Sequence, residues 1–155
     1  MASVGDKAPD FTLAYSKTDK ITLSELRGKP VVINFFPAAF TGNCQAQLCR
    51  MRDELADYND LGATMLAISA DNIFSSVAFA KQNGIEYPVL ADYTGETIAA
   101  YGMTIENFVG LQGYNVANRG AFVIDGEGTI AAIIMGAPGE LPDFDGIKAA
   151  VAALG

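Results

Sequence analysis

Apolar side chains fill positions 31–36, Val31-Val32-Ile33-Asn34-Phe35-Phe36, with one polar interruption. That run predicts a buried strand. A second apolar run at 63–70 predicts another. Between them Leu48, Met51, Leu55 and Tyr58 recur at the spacing of one helix face, so 45–58 reads as a helix stopped by Gly62. Residues 73–83 read as a second helix, with Asp71 or Asn72 as cap and Gly84 as stop. A short strand at 87–91, opened by Pro88, and a short helix at 96–101 follow. Residues 102–118 read as a loop without a clear period. Two strands at 121–125 and 129–135 flank Gly126-Glu127-Gly128, a hairpin turn. A closing helix is predicted over 147–154. At the other end, residues 1–20 read as an irregular or short-stranded lead-in with a polar turn at Lys17-Thr18-Asp19-Lys20. Thr22 to Leu26 reads as one helical turn capped by Thr22, with Glu25 three residues on, ended by Gly28-Lys29-Pro30.

Strand, helix, strand, helix and strand in succession imply parallel pairing through crossovers, and the final hairpin adds antiparallel strands. The expected fold class is α/β, with a central mixed β-sheet flanked by helices on both faces, the pattern of a thioredoxin-like fold with insertions. The chain has 155 residues and shows no repeat, low-complexity segment or linker, so residues 1–155 are expected to form a single domain. Ligands of open α/β sheets bind beyond the carboxyl ends of the strands. Pro37-Ala38-Ala39-Phe40-Thr41-Gly42-Asn43-Cys44 lies at such an end. A cysteine between a strand and a helix meets helix N-terminal amides, which favour the thiolate, the reactive form of sulfur.

Composition narrows the chemistry to that cysteine. The formal net charge of −8 opposes nucleic acid and anionic membrane as partners. No stretch is long or apolar enough to span a bilayer. The opening residues lack a secretory pattern, so a cytoplasmic protein is expected. With no histidine, a Ser-His-Asp triad, a Cys-His pair and His-ligated zinc or haem are excluded. Two cysteines make a poor metal site, because structural zinc usually takes four Cys or His ligands. Neither phosphate-cradling glycine motif is present. No metal and no cofactor are therefore expected.

The spacing Pro-x-x-x-Thr-x-x-Cys, held by Pro37, Thr41 and Cys44, resembles the active-site signature of the peroxiredoxins. Val4-Gly5-Asp6-Lys7-Ala8-Pro9-Asp10-Phe11 resembles that family's lead-in, and Asn118-Arg119-Gly120-Ala121-Phe122-Val123-Ile124-Asp125 its arginine-bearing strand. The stretch from Gln45 to Asp53 and Pro138-Gly139-Glu140 look closest to the AhpE-like subgroup. The similarity covers nearly the whole chain. It implies a thiol-dependent peroxidase that reduces hydrogen peroxide and organic hydroperoxides through a cysteine sulfenic acid. Cys44 would attack the peroxide oxygen. Arg119 would supply fixed positive charge and a rigid donor fork. Thr41 would accept from the peroxide OH while donating to the thiolate or a nearby group. Pro37 would fix the loop and shield the sulfur. A thioredoxin-like protein or a low-molecular-weight thiol would restore the thiol.

Cys49 leaves two readings open. Peroxiredoxin Q, the bacterioferritin-comigratory type, often carries a resolving cysteine at this spacing, whereas AhpE-like proteins usually do not. On an intact helix five residues separate Cα atoms by about 8.6 Å. Disulfides rarely form beyond about 7 Å. A Cys44–Cys49 disulfide thus requires the first helical turn to unwind; otherwise Cys49 is a core thiol and an external thiol completes a one-cysteine cycle. Gln47 stands where the subgroup usually has Glu, which removes a negative charge near the site and favours the thiolate. Arg52 and Asp53 read as helix-surface contacts. Phe35, Phe36 and Phe40, with Tyr87, Tyr93 and Tyr101, read as core and interface packing. Resemblance assigns Phe40 to a dimer contact, and the chain is expected to be a homodimer or a monomer. Two rival functions share the fold: a thiol–disulfide oxidoreductase, although its usual Cys-x-x-Cys is missing, and a redox sensor that switches a partner surface.

Overall fold

The structure, a computed structural model, describes residues 2–136 and 139–155. The elements in chain order are β1 (Thr12–Ala14), β2 (Lys20–Thr22), β3 (Val31–Phe35), α1 (Gly42–Asp53), α2 (Leu55–Asp60), β4 (Thr64–Ser69) and α3 (Ile73–Gln82). Then come β5 (Val89–Ala91), α4 (Glu96–Ala100), β6 (Thr104–Ile105), β7 (Val116–Ala117), β8 (Gly120–Ile124), β9 (Ile130–Met135) and α5 (Phe144–Ala152). Seven strands form one sheet in the order β2-β1-β5-β4-β3-β8-β9. β3, β4 and β5 run parallel, while β8 and β9 add antiparallel strands at one side and β1 and β2 at the other. This is the expected mixed sheet.

An inner strand, β3, explains why both faces are covered. Every residue of β3 is buried, so its side chains feed two cores in alternation. Val31, Ile33 and Phe35 pack with Ile98 and Tyr101 from the α4 side. Val32 and Phe36 pack with Leu48 of α1, Phe79 of α3 and Ile147 of α5. Burying each such side chain is worth about 1.5–3 kcal/mol, so β3 anchors the loop that leaves its carboxyl end.

Several local expectations are corrected. The predicted helix over 45–58 is two helices, with Glu54 between them at φ −98° and ψ 3°. Its carboxylate takes Arg50 at 3.0 Å and Lys148 of α5 at 3.3 Å, which ties the break to both helices. Gly62, at φ 74°, ends α2 in the left-handed conformation that glycine adopts without strain. Thr22 does not cap the turn after it. Its hydroxyl pairs with Thr12 Oγ1 at 2.7 Å across the β1–β2 ladder, and Asp10 Oδ1 accepts from the Ser24 amide at 2.9 Å instead. The unpatterned stretch 102–118 contains the two-stranded sheet of β6 and β7. α5 begins at Phe144, before the expected start, because the Asp143 side chain accepts from the Gly146 amide. Tyr93 is 72% exposed and Phe40 49%, so neither is buried in the two cores, of which one holds Phe36 and Tyr87 and the other Phe35 and Tyr101. Pro138, part of the segment resembling the AhpE-like subgroup, lies outside the described residues. Among the described residues no helix is long and apolar enough to cross a membrane.

Candidate active site

The site grows from the end of β3. The Phe36 amide still donates to Ile68 O of β4 at 3.1 Å, and then Pro37, which has no N–H, closes the ladder. The chain turns through Phe40 at φ 65°, a strained conformation for a bulky residue. Asp71 holds this turn from outside. Its Oδ2 accepts from the Ala39 amide at 2.8 Å and from Ser69 Oγ at 2.7 Å. The cap of α3 is Asn72, whose side chain accepts from the Ser75 amide, so Asp71 is left for the loop. The Phe40 ring stands edge-on to Phe79 at 5.3 Å.

Thr41 occupies the N-cap of α1 with extended dihedrals, and its backbone carbonyl accepts the Gln45 amide at 2.8 Å. Its hydroxyl donates to Ala38 O at 2.9 Å and caps no amide of α1. Its oxygen keeps lone pairs for a further donor. With no side-chain cap, the first-turn amides of α1 retain their electrostatic pull on an anion.

Cys44, in the first turn of α1, is completely buried, and both cysteines are free thiols. Arg119 approaches from across the sheet. β3 and β8 pair antiparallel with Phe35 opposite Gly120, so Arg119, one residue before β8, falls beside the outgoing chain after Phe35. Its Nη2 donates to Cys44 Sγ at 3.2 Å and its Nη1 to Gln47 Oε1 at 2.8 Å. Gln47 Nε2 donates in turn to Phe35 O at 3.3 Å. One neutral amide therefore links the guanidinium to the end of β3. A buried charge needs such partners, and Arg119 is only 2% exposed. Gly120 next to it sits in close quarters: a Cβ there would stand 3.1 Å from Met135 Sδ and 3.2 Å from Ile134 O.

Cys49 sits on a different stripe of α1, half-buried against α3 and donating to Asn83 Oδ1 at 3.6 Å. Next to it the Tyr87 hydroxyl donates to Leu48 O at 2.7 Å. Burial pushes the Tyr87 hydroxyl up, and the nearby Cys49 adds to this, so the tyrosine stays a donor. Arg52 pairs with Asp53 at 2.9 Å as expected of a surface contact, but it also donates to Asn83 O. Thus Cys44, Arg119 and Gln47 converge. Thr41 and Pro37 frame the loop, and Cys49 faces away toward α3. A cavity of about 410 Å³ beside the loop is lined by Pro37, Asp71, Tyr93, Ile98 and Tyr114, and not by Cys44. Among the described residues no cluster of acidic or cysteine side chains could hold a metal ion. Sequence reasoning missed Asp71 as the loop's anchor, and it gave Asn83 only as the end of a helix. Asp71 meets Ala39 from 32 residues away and Asn83 meets Cys49 from 34, and no local period marks either contact.

The sheet order and the thiol at its edge define a thioredoxin-like α/β thiol protein. The AhpC/TSA family model matches residues 4–133, and the chain belongs to that family, the peroxiredoxins, and is a thiol peroxidase. It is 39% identical over 146 residues to alkyl hydroperoxide reductase E of Mycobacterium tuberculosis, covering 92% of each chain. It is 34% identical over 131 residues to chloroplastic peroxiredoxin Q of Gentiana triflora, covering 84% of this chain and 58% of that protein. The crystal structure of peroxidoxin BcpB from M. tuberculosis superposes with a TM-score of 0.87 at 27% identity, covering 100% of this chain and 99% of that one.

Proposed function

We propose that Cys44 is the peroxidatic nucleophile of a single-domain enzyme that reduces hydrogen peroxide and organic hydroperoxides. The observation that carries this reading is the 3.2 Å contact between Arg119 Nη2 and Cys44 Sγ inside the fold. A guanidinium at that distance stabilises negative charge on sulfur, and the uncapped amides of α1 act in the same sense. The thiolate attacks the near oxygen of ROOH. An S–O bond forms as the O–O bond breaks, the proton of the attacked OH passes to the leaving oxygen, which departs as ROH, and the sulfenate left on Cys44 takes a proton from solvent to become the sulfenic acid. Arg119 also offers a donor to the oxygen on which charge develops. Thr41, whose own proton is given to Ala38 O, accepts from the peroxide OH. Pro37, buried at the turn, keeps bulk water off the sulfur.

The sulfenic acid is then resolved by Cys49. The thiol attacks the Cys44 sulfur, the S–S bond forms, and water leaves. This step needs the first turn of α1 to unwind. A thioredoxin-like protein or a small thiol reduces the disulfide. The second reading is a one-cysteine cycle with an external thiol. It is favoured by the intact α1 and by the bond that turns Cys49 toward Asn83. A cytoplasmic setting goes with either cycle, because a thiol oxidised at every turnover must be reduced again where thiol reductants are maintained. Half-exposed Phe40, at the loop's outer edge, offers a contact for a second copy; with it the protein is a homodimer, and without it a monomer. The test is peroxide consumption by the Cys44→Ser protein under saturating reductant. It should vanish, and consumption at the wild-type rate would refute the assignment.

A further inference from the structure

Asn83, the residue that ends α3, gathers three residues of α1. Its Oδ1 accepts from Gln45 Nε2 at 2.9 Å and from Cys49 Sγ at 3.6 Å. Its backbone carbonyl accepts from Arg52 Nη1 at 2.6 Å. Its own Nδ2 donates to Phe79 O at 2.9 Å, which sets the orientation of the amide. Gln45, Cys49 and Arg52 stand at i, i+4 and i+7, so they form one stripe along α1. Asn83 is 9% exposed, and its side-chain oxygen is therefore a sheltered acceptor shared by the residue after Cys44 and by Cys49 itself.

Both motions needed for a Cys44–Cys49 bond break contacts to that oxygen. Cys44 cannot leave the core without drawing Gln45 off Asn83. Cys49 cannot attack while its S–H points at Asn83. We propose that Asn83 is a positioning residue for the resolving step, a latch that holds the first half of α1 wound and sets the rate at which Cys49 reaches the Cys44 sulfenic acid. The proposal rests on the two-cysteine reading. The step balances without a further oxidant: the S–S bond forms, the S–O bond of the sulfenic acid breaks, and its OH leaves as water with the Cys49 proton. While the latch is closed, the sulfenic acid stays open to a second peroxide, which converts it to sulfinic acid. Asn83 thereby governs how the enzyme divides between turnover and over-oxidation.

The experiment follows the whole reduced protein by rapid-quench intact mass spectrometry after one equivalent of hydrogen peroxide. Gain of one oxygen reports the peroxide step, and net loss of two hydrogens reports resolution. Release of two ordinary hydrogen bonds corresponds to about a tenfold change in the unwound population. Asn83→Ala should thus resolve about tenfold faster, with the peroxide step within about twofold of wild type, and should form less sulfinic acid under excess peroxide. Gln45→Ala, at an exposed position that leaves the core untouched, should move resolution the same way by about threefold. Equal or slower resolution in Gln45→Ala and Asn83→Ala overturns the latch and leaves the two-cysteine reading standing. If no protein loses two hydrogens, both fall. If Asn83→Ala also slows the peroxide step, it has loosened the fold as a whole; Gln45→Ala then decides alone, an unchanged resolution rate overturning the latch.

Discussion

Arg119 Nη2 lies 3.2 Å from Cys44 Sγ although 75 residues separate the two in the chain. The contact exists because β3 and β8 pair with Phe35 opposite Gly120, which brings the residue before β8 to the residues after β3. The charge at the sulfur is therefore a product of strand register, and a change in that pairing would remove it.

Replacing Arg119 tests the charge directly. Arg119→Met keeps an unbranched apolar stem and deletes both donors. The second-order rate of Cys44 oxidation, read by stopped-flow, should fall by about 10²-fold, the usual cost of losing one such donor. Arg119→Lys should recover only part of this, because an ammonium cannot span Gln47 and Cys44 as the planar fork does. Equal rates for Lys and Arg would show that charge alone matters.

Gln47 is the neutral link between Arg119 and Phe35 O. In Gln47→Glu the carboxylate would add negative charge beside the sulfur and lose the donor to Phe35 O. Alkylation of Cys44 by iodoacetamide at neutral pH should slow. An unchanged or faster rate would mean that Arg119 fully neutralises the added charge.

Asp71 should act on the loop and not on the sulfur. Asp71→Ala frees the Ala39 amide and Ser69 Oγ, at a cost of about 1–3 kcal/mol in denaturant unfolding. The peroxide rate should drop with it, because Pro37 and Thr41 lose their fixed frame. Stability lost without any change in rate would detach the loop's anchor from function.

Asp92 gives the pH dependence a definite sign. Burial raises its carboxyl above the ordinary 3.8, with the amides of Ile98 and Thr97 opposing the shift. Its Oδ2 accepts from the Ile98 amide at 2.8 Å. A raised carboxyl contributes stability that is present below 3.8 and lost as pH rises through the higher folded value. Asp92→Asn should therefore match wild type in acid and exceed it at neutral pH, as urea melts at the two conditions will report. A gap that narrows as pH rises would reverse the sign.

Of the candidate site, Cys44 was legible as a reactive thiol from its place between an apolar strand and a helix, whereas Pro37, Thr41 and Arg119 were assigned through the resemblance to the peroxiredoxin signature. The apolar runs of β3 and β4 placed the sheet, and helical spacing placed Leu48 and Met51 in the core. The rest depends on partners far along the chain. The break at Glu54 is tied to Lys148 on α5, a contact 94 residues away. Thr22 reads as a cap, but a cross-strand threonine took its hydroxyl. Asp71 and Asn72 are equivalent as caps on paper, and only the fold assigned one to α3 and the other to the Pro37 loop. The link through Asn83 joins helix ends that share no sequence period.

The central claim is that peroxide oxidises Cys44, beside Arg119, and not Cys49. It is tested most directly by trapping with dimedone after one equivalent of hydrogen peroxide, in Cys49→Ser and Cys44→Ser proteins compared side by side. The account predicts a rapid adduct on Cys44 in the first and no adduct on Cys49 in the second within the same time. Rapid oxidation of Cys49 in the protein that lacks Cys44 would contradict it.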